Sequence, residues 1–432
     1  MKKLIAIEFS LLAIASFSSL AEDFSFDTSE YEKKTFEFNG YVEAKQEALR
    51  LQPERAIYSL NYPDEPARNW LYRSTGTLDL TGKLHLTDTV ADIHGQASYA
   101  EDSFVTAEEY DKVMDGGIRW SPTTNYSVDI GKRVQRWGKG YAWNPVGFIE
   151  RPKDPSDPQT AREGFNMLSM EWTKTRSGDL STLTLTPVIV PTYDELNPDF
   201  GTEGSLNPAA KLYLLAWNTD IDLLWLGKGS RPQSIGLDFS RNISSELEVH
   251  GEWAHQYAVA KNTLESSGST LLSTINPDSY LLGSRYLTEH EITWIIEYLH
   301  NGRGYSTSEL NSYYTFINGA ANSGETTTAF QKAQQLMQSG YNKANSGENY
   351  LYLRASVNEP FNWLYTTPAL TVISHLDDGS FQFTPEISYT GFSNIELRAR
   401  AILLSREQRT EFGEKLSRQR FRINTHNFFF IS

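Results

Sequence analysis

The chain has 432 residues, a net charge of −15 and no cysteine. The acidic balance argues against nucleic acid as a partner, because phosphate binding needs a basic face. The absence of cysteine excludes a disulfide framework and cysteine metal centres. Length alone would fit two or three ordinary domains, although a closed barrel takes up this many residues as one unit.

At the N-terminus Lys2 and Lys3 precede an apolar stretch that closes on Ser19, Leu20 and Ala21 before Glu22. This is the layout of a secretory signal peptide over 1–21, with Glu8 an unusual acid inside its apolar region. Residues 22–34 are then expected to be a short periplasmic segment, and 35–432 the folded body. Beyond the leader no stretch offers about 18 consecutive apolar residues, so no spanning helix is expected.

From residue 35 onward, segments of about ten residues alternate apolar and polar side chains, the period of a strand with two unlike faces. Eighteen can be placed: 35–46, 70–86, 90–100, 111–120, 125–136, 165–174, 181–192, 209–218 and 221–228, then 233–241, 245–258, 278–287, 290–300, 349–357, 365–375, 380–390, 394–405 and 417–430. Connections after even-numbered strands are all short, as at 87–89, 218–220 and 288–289. The long ones, 47–69, 101–110, 137–164, 193–208, 259–277 and 301–348, all follow odd-numbered strands, where only 229–232 and 377–379 are short. Short turns at one rim and long loops at the other are the mark of a transmembrane barrel. Aromatic residues, 13% of the chain, suit its interfacial girdles. The expectation is therefore an all-β fold, a transmembrane antiparallel β-barrel of about 18 strands in a Gram-negative outer membrane, with the membrane lipid and the barrel-assembly machinery as partners.

The alternation also assigns faces. Ile292, Trp294, Ile296 and Tyr298, and likewise Leu351, Leu353, Ala355 and Val357, share one side and should meet lipid. Along 245–258, Leu247, Val249, Trp253 and Tyr257 point outward while Glu246, Glu248, His250 and Glu252 point inward. A dry core would not tolerate those acids unpaired, whereas a water-filled lumen would. Near the end of the chain Glu396, Arg398 and Arg400 alternate on one inner face and Arg418, Arg420 and Arg422 on the next, a basic ladder expected to line the pore and set ion selectivity. The competing reading pairs these arginines with inward acids such as Glu43. Phe421, Ile423, Phe429 and Ile431 alternate in the last strand, which resembles the C-terminal assembly signature of outer-membrane proteins, although that pattern ends on an aromatic and this chain adds Ile431 and Ser432.

The most distinctive stretch runs from Asp129 to Arg162. It leaves the fifth strand at Arg136 and Trp137, turns through Gly138 and Gly140, and carries Asn144-Pro145, Arg151-Pro152, Asp154-Pro155 and Asp157-Pro158. Four prolines remove four backbone donors and stiffen the path. By position it resembles the third, constricting loop of general porins, with Glu150, Arg151, Lys153, Asp154, Asp157 and Arg162 facing the arginine ladder. The run Gly131-Lys132-Arg133-Val134-Gln135-Arg136-Trp137-Gly138 followed by Asn144-Pro145 also resembles a family of functionally uncharacterised, porin-like outer-membrane barrels, over about 35 residues; the resemblance implies export or uptake across the outer membrane without naming a solute. A more distant likeness, to alginate-export barrels, rests on strand number and the arginine-rich lumen.

Enzymatic and metal readings find little support. The eight histidines show no fixed partner spacing for a nucleophile, and His250 and His255, five apart in a strand, point to opposite faces. Glu150, Asp154 and Asp157 offer oxygen ligands for calcium, but the interleaved Arg151 and Lys153 pair with them more simply. No catalytic, cofactor or metal residue is assigned. Loop 301–348 is expected to hold a short helix within 326–345, with Phe330, Ala333 and Leu336 at helical spacing, serving as a lid or as a packed hairpin. The expected function is a channel for small polar or anionic solutes through a charged lumen narrowed by loop 137–164. A closed structural or receptor barrel is the alternative, and an outer-membrane enzyme a weaker one.

Overall fold

The computed structural model describes residues 34–104, 107–265, 268–405 and 407–431. The expected leader and residues 22–33 lie outside them. The described chain contains β1 (Phe36–Leu51), β2 (Trp70–His85), β3 (Thr89–Asp102), β4 (Glu108–Thr123), β5 (Tyr126–Arg133), β6 (Phe165–Thr175), β7 (Leu180–Thr192), β8 (Ser205–Ala216), β9 (Thr219–Leu226) and β10 (Ser234–Asn242). It continues with β11 (Leu247–Gln256), β12 (Val259–Leu264), β13 (Thr270–Ile275), β14 (Asp278–Leu287), β15 (Ile292–His300), β16 (Asn349–Val357), β17 (Thr366–His375), β18 (Phe381–Phe392), β19 (Ile395–Leu404) and β20 (Ser417–Ile431).

Eighteen of these form one antiparallel sheet in which each pairs with its neighbours, and β1 pairs with both β2 and β20, so the sheet closes on itself. Closure matters because a sheet edge in hydrocarbon would leave a row of backbone donors and acceptors unpaired. β12 and β13 form a separate hairpin inside the expected loop 259–277. All eighteen expected segments are barrel strands. The fifth ends at Arg133 rather than Arg136, because Asp115 takes the Val134 N–H at 3.1 Å. The eighth begins at Ser205 and stops at Ala216, where Trp217 and Asn218 both have positive φ (51° and 55°); two such residues are what a two-residue type I′ hairpin needs to match strand twist.

The outer surface is layered. Trp70, Tyr72, Tyr99, Tyr110, Tyr280 and Phe381 are exposed near the long-loop rim, and Trp120, Trp172, Trp217, Tyr286, Trp363 and Phe392 near the short-turn rim. Between them lie exposed aliphatics such as Ile130, Leu168, Leu223, Leu282, Ile296 and Ile387. This apolar band between aromatic girdles is the surface a bilayer solvates. Ile296 faces out and Glu297 in, as the alternation predicts.

β4 departs from strict alternation. Register slips between His94 and Gly95 opposite β4, leaving Met114 as a bulge whose carbonyl accepts the Gly164 N–H at 2.7 Å. Val113 and Ile118 are consequently both exposed to lipid although five residues apart, and Asp115 turns into the lumen.

Above the long-loop rim, α1 (Ala56–Asn61), α2 (Thr307–Ala321) and α3 (Thr328–Met337) share one apolar cluster containing Leu60, Leu310, Tyr313, Ile317, Phe330, Ala333 and Leu336. α3 is the expected helix. α2 was not anticipated, although Ser306 and Glu309 form a capping box at its start.

Ile296→Arg should cost the folded barrel about 2–4 kcal/mol, the penalty for arginine near the midplane of a lipid-facing wall. Ser356→Arg, facing the lumen one strand away, should not. Heat-modifiable electrophoretic mobility of refolded protein checks both.

Candidate functional site

The chain between β5 and β6 enters the barrel and packs against its inner wall. Trp137, Val146, Phe148 and Ile149 are buried with Phe165, Met167, Val188, Val190, Leu224, Leu226 and Ala254 from β6, β7, β9 and β11. Ala142 and Trp143 are buried against Leu281, Leu299, Tyr350, Tyr352 and Ile373 from β14 to β17. At about 1.5–3 kcal/mol for each large apolar side chain, this burial is the main gain on seating the loop. Polar contacts then decide where it sits.

Those contacts are made to carboxylates of the wall. Glu252 on β11 accepts the N–H groups of Lys139 and Gly140, both at 2.7 Å, and of Val146 at 3.3 Å. Glu297 on β15 accepts from the Tyr141 N–H and from Ala142 at 2.8 Å. Gly138, with φ +94°, lets the backbone come this close, since a Cβ there would lie 2.6 Å from Glu252 Oε1. Gly283 on the intervening β14 serves the wall likewise: a Cβ would collide with His250 Nε2 at 2.2 Å, and without one His250 reaches Glu297 at 2.9 Å across the strand. Lys139 Nζ lies 2.8 Å from Asp222 and 3.7 Å from Asp238. Burial opposes the Lys139 charge, and these two carboxylates outweigh it, holding its ammonium above the usual lysine range.

Farther along, Glu150 accepts from the Trp137 N–H and from Arg162 at 2.5 Å. Burial pushes its carboxyl up, with Arg162 opposing. Arg151 leaves the lumen, pairing with Asp199 at 2.7 Å and reaching the Glu163 and Gly164 carbonyls. Lys153 donates to the Gly140 carbonyl, and burial pulls its ammonium down. Asp154 accepts the Ser156 N–H in a turn. Asp157 lies 2.9 Å from Arg400 and 3.7 Å from Arg422; burial opposes its charge, but the arginines hold it below the usual aspartate range. The loop set therefore does not confront the arginine ladder as a whole: among the described residues Asp157 reaches it, while Glu150 and Arg151 are engaged elsewhere. Arg151 and Lys153 also do not pair with Glu150, Asp154 or Asp157 as expected. From outside, Arg231 braces the seat through the Phe148 carbonyl at 2.6 Å and the Phe200 carbonyl at 2.7 Å. Burial among these groups pushes its guanidinium down to about 10.

The ladder itself is largely neutralised. Arg398 pairs with Glu396 at 2.8 Å, Arg400 also with Glu386, and Arg422 with Glu47 at 3.0 Å. Glu43, the expected partner, instead meets His426 at 2.7 Å. Arg418 and Arg420 lie on the same inner phase of β20.

Beneath the loop, toward the short-turn rim, is a cavity of about 1480 Å³. Of the residues expected at the site, Arg136, Trp137, Lys153, Arg162 and Arg398 line it; Glu150, Arg151, Asp154 and Asp157 lie elsewhere in the loop, and Glu396, Arg400, Arg418, Arg420 and Arg422 belong to β19 and β20. Ten lysines and arginines line it against five carboxylates, the reverse of the balance of the chain. Arg133 is quenched by Asp92, Asp115 and Asp129, and Arg354 meets Glu386 at 3.3 Å. Lys83, Arg136, Lys153 and Arg285 have no carboxylate within 4 Å among the described residues, and they point into this space from β2, the loop and β14. Of these, Lys83 and Arg285 escaped sequence reasoning, as did Glu297, Asp222 and Asp238. All five sit at inward phase in alternating strands, a signal that becomes specific only once neighbouring registers are known.

Fold and lumen together define a closed, loop-narrowed barrel with an asymmetrically charged interior. No family model and no curated protein matches the chain. Among solved structures it is similar to Pseudomonas aeruginosa OpdQ (TM-score 0.55, 9% identity, 93% of this chain and 100% of that one). It is also similar to OccK11 (OpdR) of the same organism (TM-score 0.52, 12% identity, 92% and 96%) and to its outer membrane protein OprD (TM-score 0.52, 9% identity, 92% and 94%). At such identity the likeness is one of fold. The chain shares the closed β-barrel fold of OprD, an outer membrane protein.

Arg162→Leu should leave the Glu150 carboxylate buried without its cation, a loss of about 3 kcal/mol or more. In an Ile149→Cys background, a maleimide should then label the thiol roughly a hundredfold faster, at 1.4 kcal/mol per decade, and Arg162→Lys should restore most of the protection. The pH response has a definite sign. The Asp157 contact is fully present above the ordinary aspartate value of 3.8 and fades as pH falls through its lower seated value. Glu150, held above 4.5, takes up its proton first on the way down. Carboxyl infrared bands compared with those of Asp157→Asn and Glu150→Gln should separate the two steps in that order.

Proposed function

We propose that this barrel is an outer-membrane diffusion channel for small anionic or polar solutes, with loop 134–164 as its constriction and the cavity beneath as its charged vestibule. The observation that carries this reading is the set of unpaired cations, Lys83, Arg136, Lys153 and Arg285, in a cavity whose other cations are mostly matched by acids. A cation already hydrogen-bonded to a carboxylate has little field left for a passing ion, whereas an unpaired one in a narrow, low-dielectric wall attracts anions over several ångströms. Five carboxylates and many neutral hydroxyl and amide groups among the lining residues give a polar solute alternatives to water without a deep trap. The fold is one shared with the outer membrane protein OprD.

The buried, largely apolar contact between loop and wall favours a second reading, a barrel whose lumen stays shut. Planar-bilayer recording separates the two. Wild type should give discrete steps with anion preference in a salt gradient. Arg136→Glu with Arg285→Glu should lower the anion-to-cation permeability ratio by about tenfold, equivalent to ~1.4 kcal/mol. Arg398→Glu, which removes a paired charge, should change it less. Silence from folded, inserted protein would favour the closed barrel.

A further inference from the structure

On the inner wall, Asp222 of β9, Asp238 of β10 and Glu252 of β11 are direct cross-strand partners. Like charges facing one another in a sheet are destabilising, and all three are buried, as is Glu297 on β15. In a water-filled lumen this row would be cheap to keep; under the loop it is dry. The N–H groups of four consecutive residues, 139 to 142, end on Glu252 and Glu297, two to each acid. Lys139 supplies the cation within 4 Å of Asp222 and Asp238. That coverage is incomplete: no N–H of the loop reaches either Asp238 carboxylate oxygen or Oδ1 of Asp222.

We propose that Asp222, Asp238, Glu252 and Glu297 are positioning residues for the constriction. They form a polar seat on which the 139–146 segment docks through its backbone and through Lys139, and from which it can lift to widen the lumen along β9 to β15. The inference rests on the channel reading for its consequence, though not for its geometry. Two features argue for a seat that releases. Hydration of the row when the loop lifts removes the burial of acids to which the loop donates nothing, which offsets part of the lost contact. The opposite edge of the loop stays tethered, because Asp157 remains on Arg400 and Arg422 at the far wall. The segment would therefore swing rather than leave. Since the seat reads main-chain N–H groups, a proline at 139 to 142 would remove a donor from it.

The test uses the cysteine-free chain with Val146→Cys, nearly isosteric at a buried loop position. Glu252→Gln with Glu297→Gln keeps shape and removes charge; it should speed maleimide labelling of the thiol by tenfold or more and enlarge the conductance step, in protein that still shows heat-modifiable mobility. Lys139→Met, which leaves the wall untouched, should also speed labelling, and adding Asp222→Asn should restore protection by removing the charge that Lys139 contacts at 2.8 Å. A merely structural lysine would show no such rescue. Unchanged labelling in the folded Glu252→Gln, Glu297→Gln protein, or absence of rescue, overturns the seat even if wild type conducts. Faster labelling with the predicted rescue, but no conductance in any variant, upholds the seat and overturns the channel.

Discussion

The antiparallel closure between β1 and β20 is the constraint on which the rest depends. Fourteen Cα partners, Phe38 with Ile431 through Leu51 with Ser417, turn an open sheet into a barrel. Without that seam two strands of unpaired backbone would face hydrocarbon, at several kcal/mol for each orphaned group. Once the seam exists, each strand has a lipid face and a lumen face, and polar side chains have one place to go within the membrane. The charges that border the cavity and those beneath the loop are in the interior for that reason. The chain needs no cysteine, because the ladder itself supplies the cross-links.

The interior then divides by height. On the long-loop side the inward residues include Phe165, Val190, Leu226, Leu281, Tyr350 and Ile373, and the entering loops cover them. On the short-turn side they are charged or hydroxyl-bearing and border the cavity. Loop 134–164 sits at the junction, apolar where it meets the upper wall and cationic where Arg136 and Lys153 look down. One segment thereby both seals and charges the passage.

Much of this was legible in the chain. Alternation and the phase of loop lengths located all eighteen barrel strands, because a bilayer leaves little freedom in which side chains face out. Inward Glu252 and His250 were legible too, as was the helix carrying Phe330, Ala333 and Leu336. What escaped reading depends on contacts between segments distant in sequence. The Met114 bulge reverses the phase of half a strand, and the nearby Gly95, Gly116 and Gly117 do not by themselves say where the extra residue sits. Glu252 looked like a residue that needs lumen water, yet it is dry because residues 139, 140 and 146, more than a hundred positions away, donate to it. Arg400 and Arg422 looked like pore cations until Asp157 covered them. Short-range pattern reports the phase of a side chain, but not what fills the space it enters.

The arginines therefore fall into two populations that one-dimensional reading treats alike. Arg133, Arg162, Arg400 and Arg422 each meet a carboxylate, and their planar, multi-donor heads join strand to strand or loop to wall. Arg136 and Arg285 meet none within reach among the described residues and face the cavity. Removing a member of the first group leaves a buried acid uncompensated, so its loss should be felt as instability. Removing a member of the second subtracts field from water-accessible space and leaves the fold unstrained. An acidic protein can thus hold a basic vestibule: many of its interior acids are spent in internal pairs or beneath the loop, and the charge that a solute meets is what those pairings leave over.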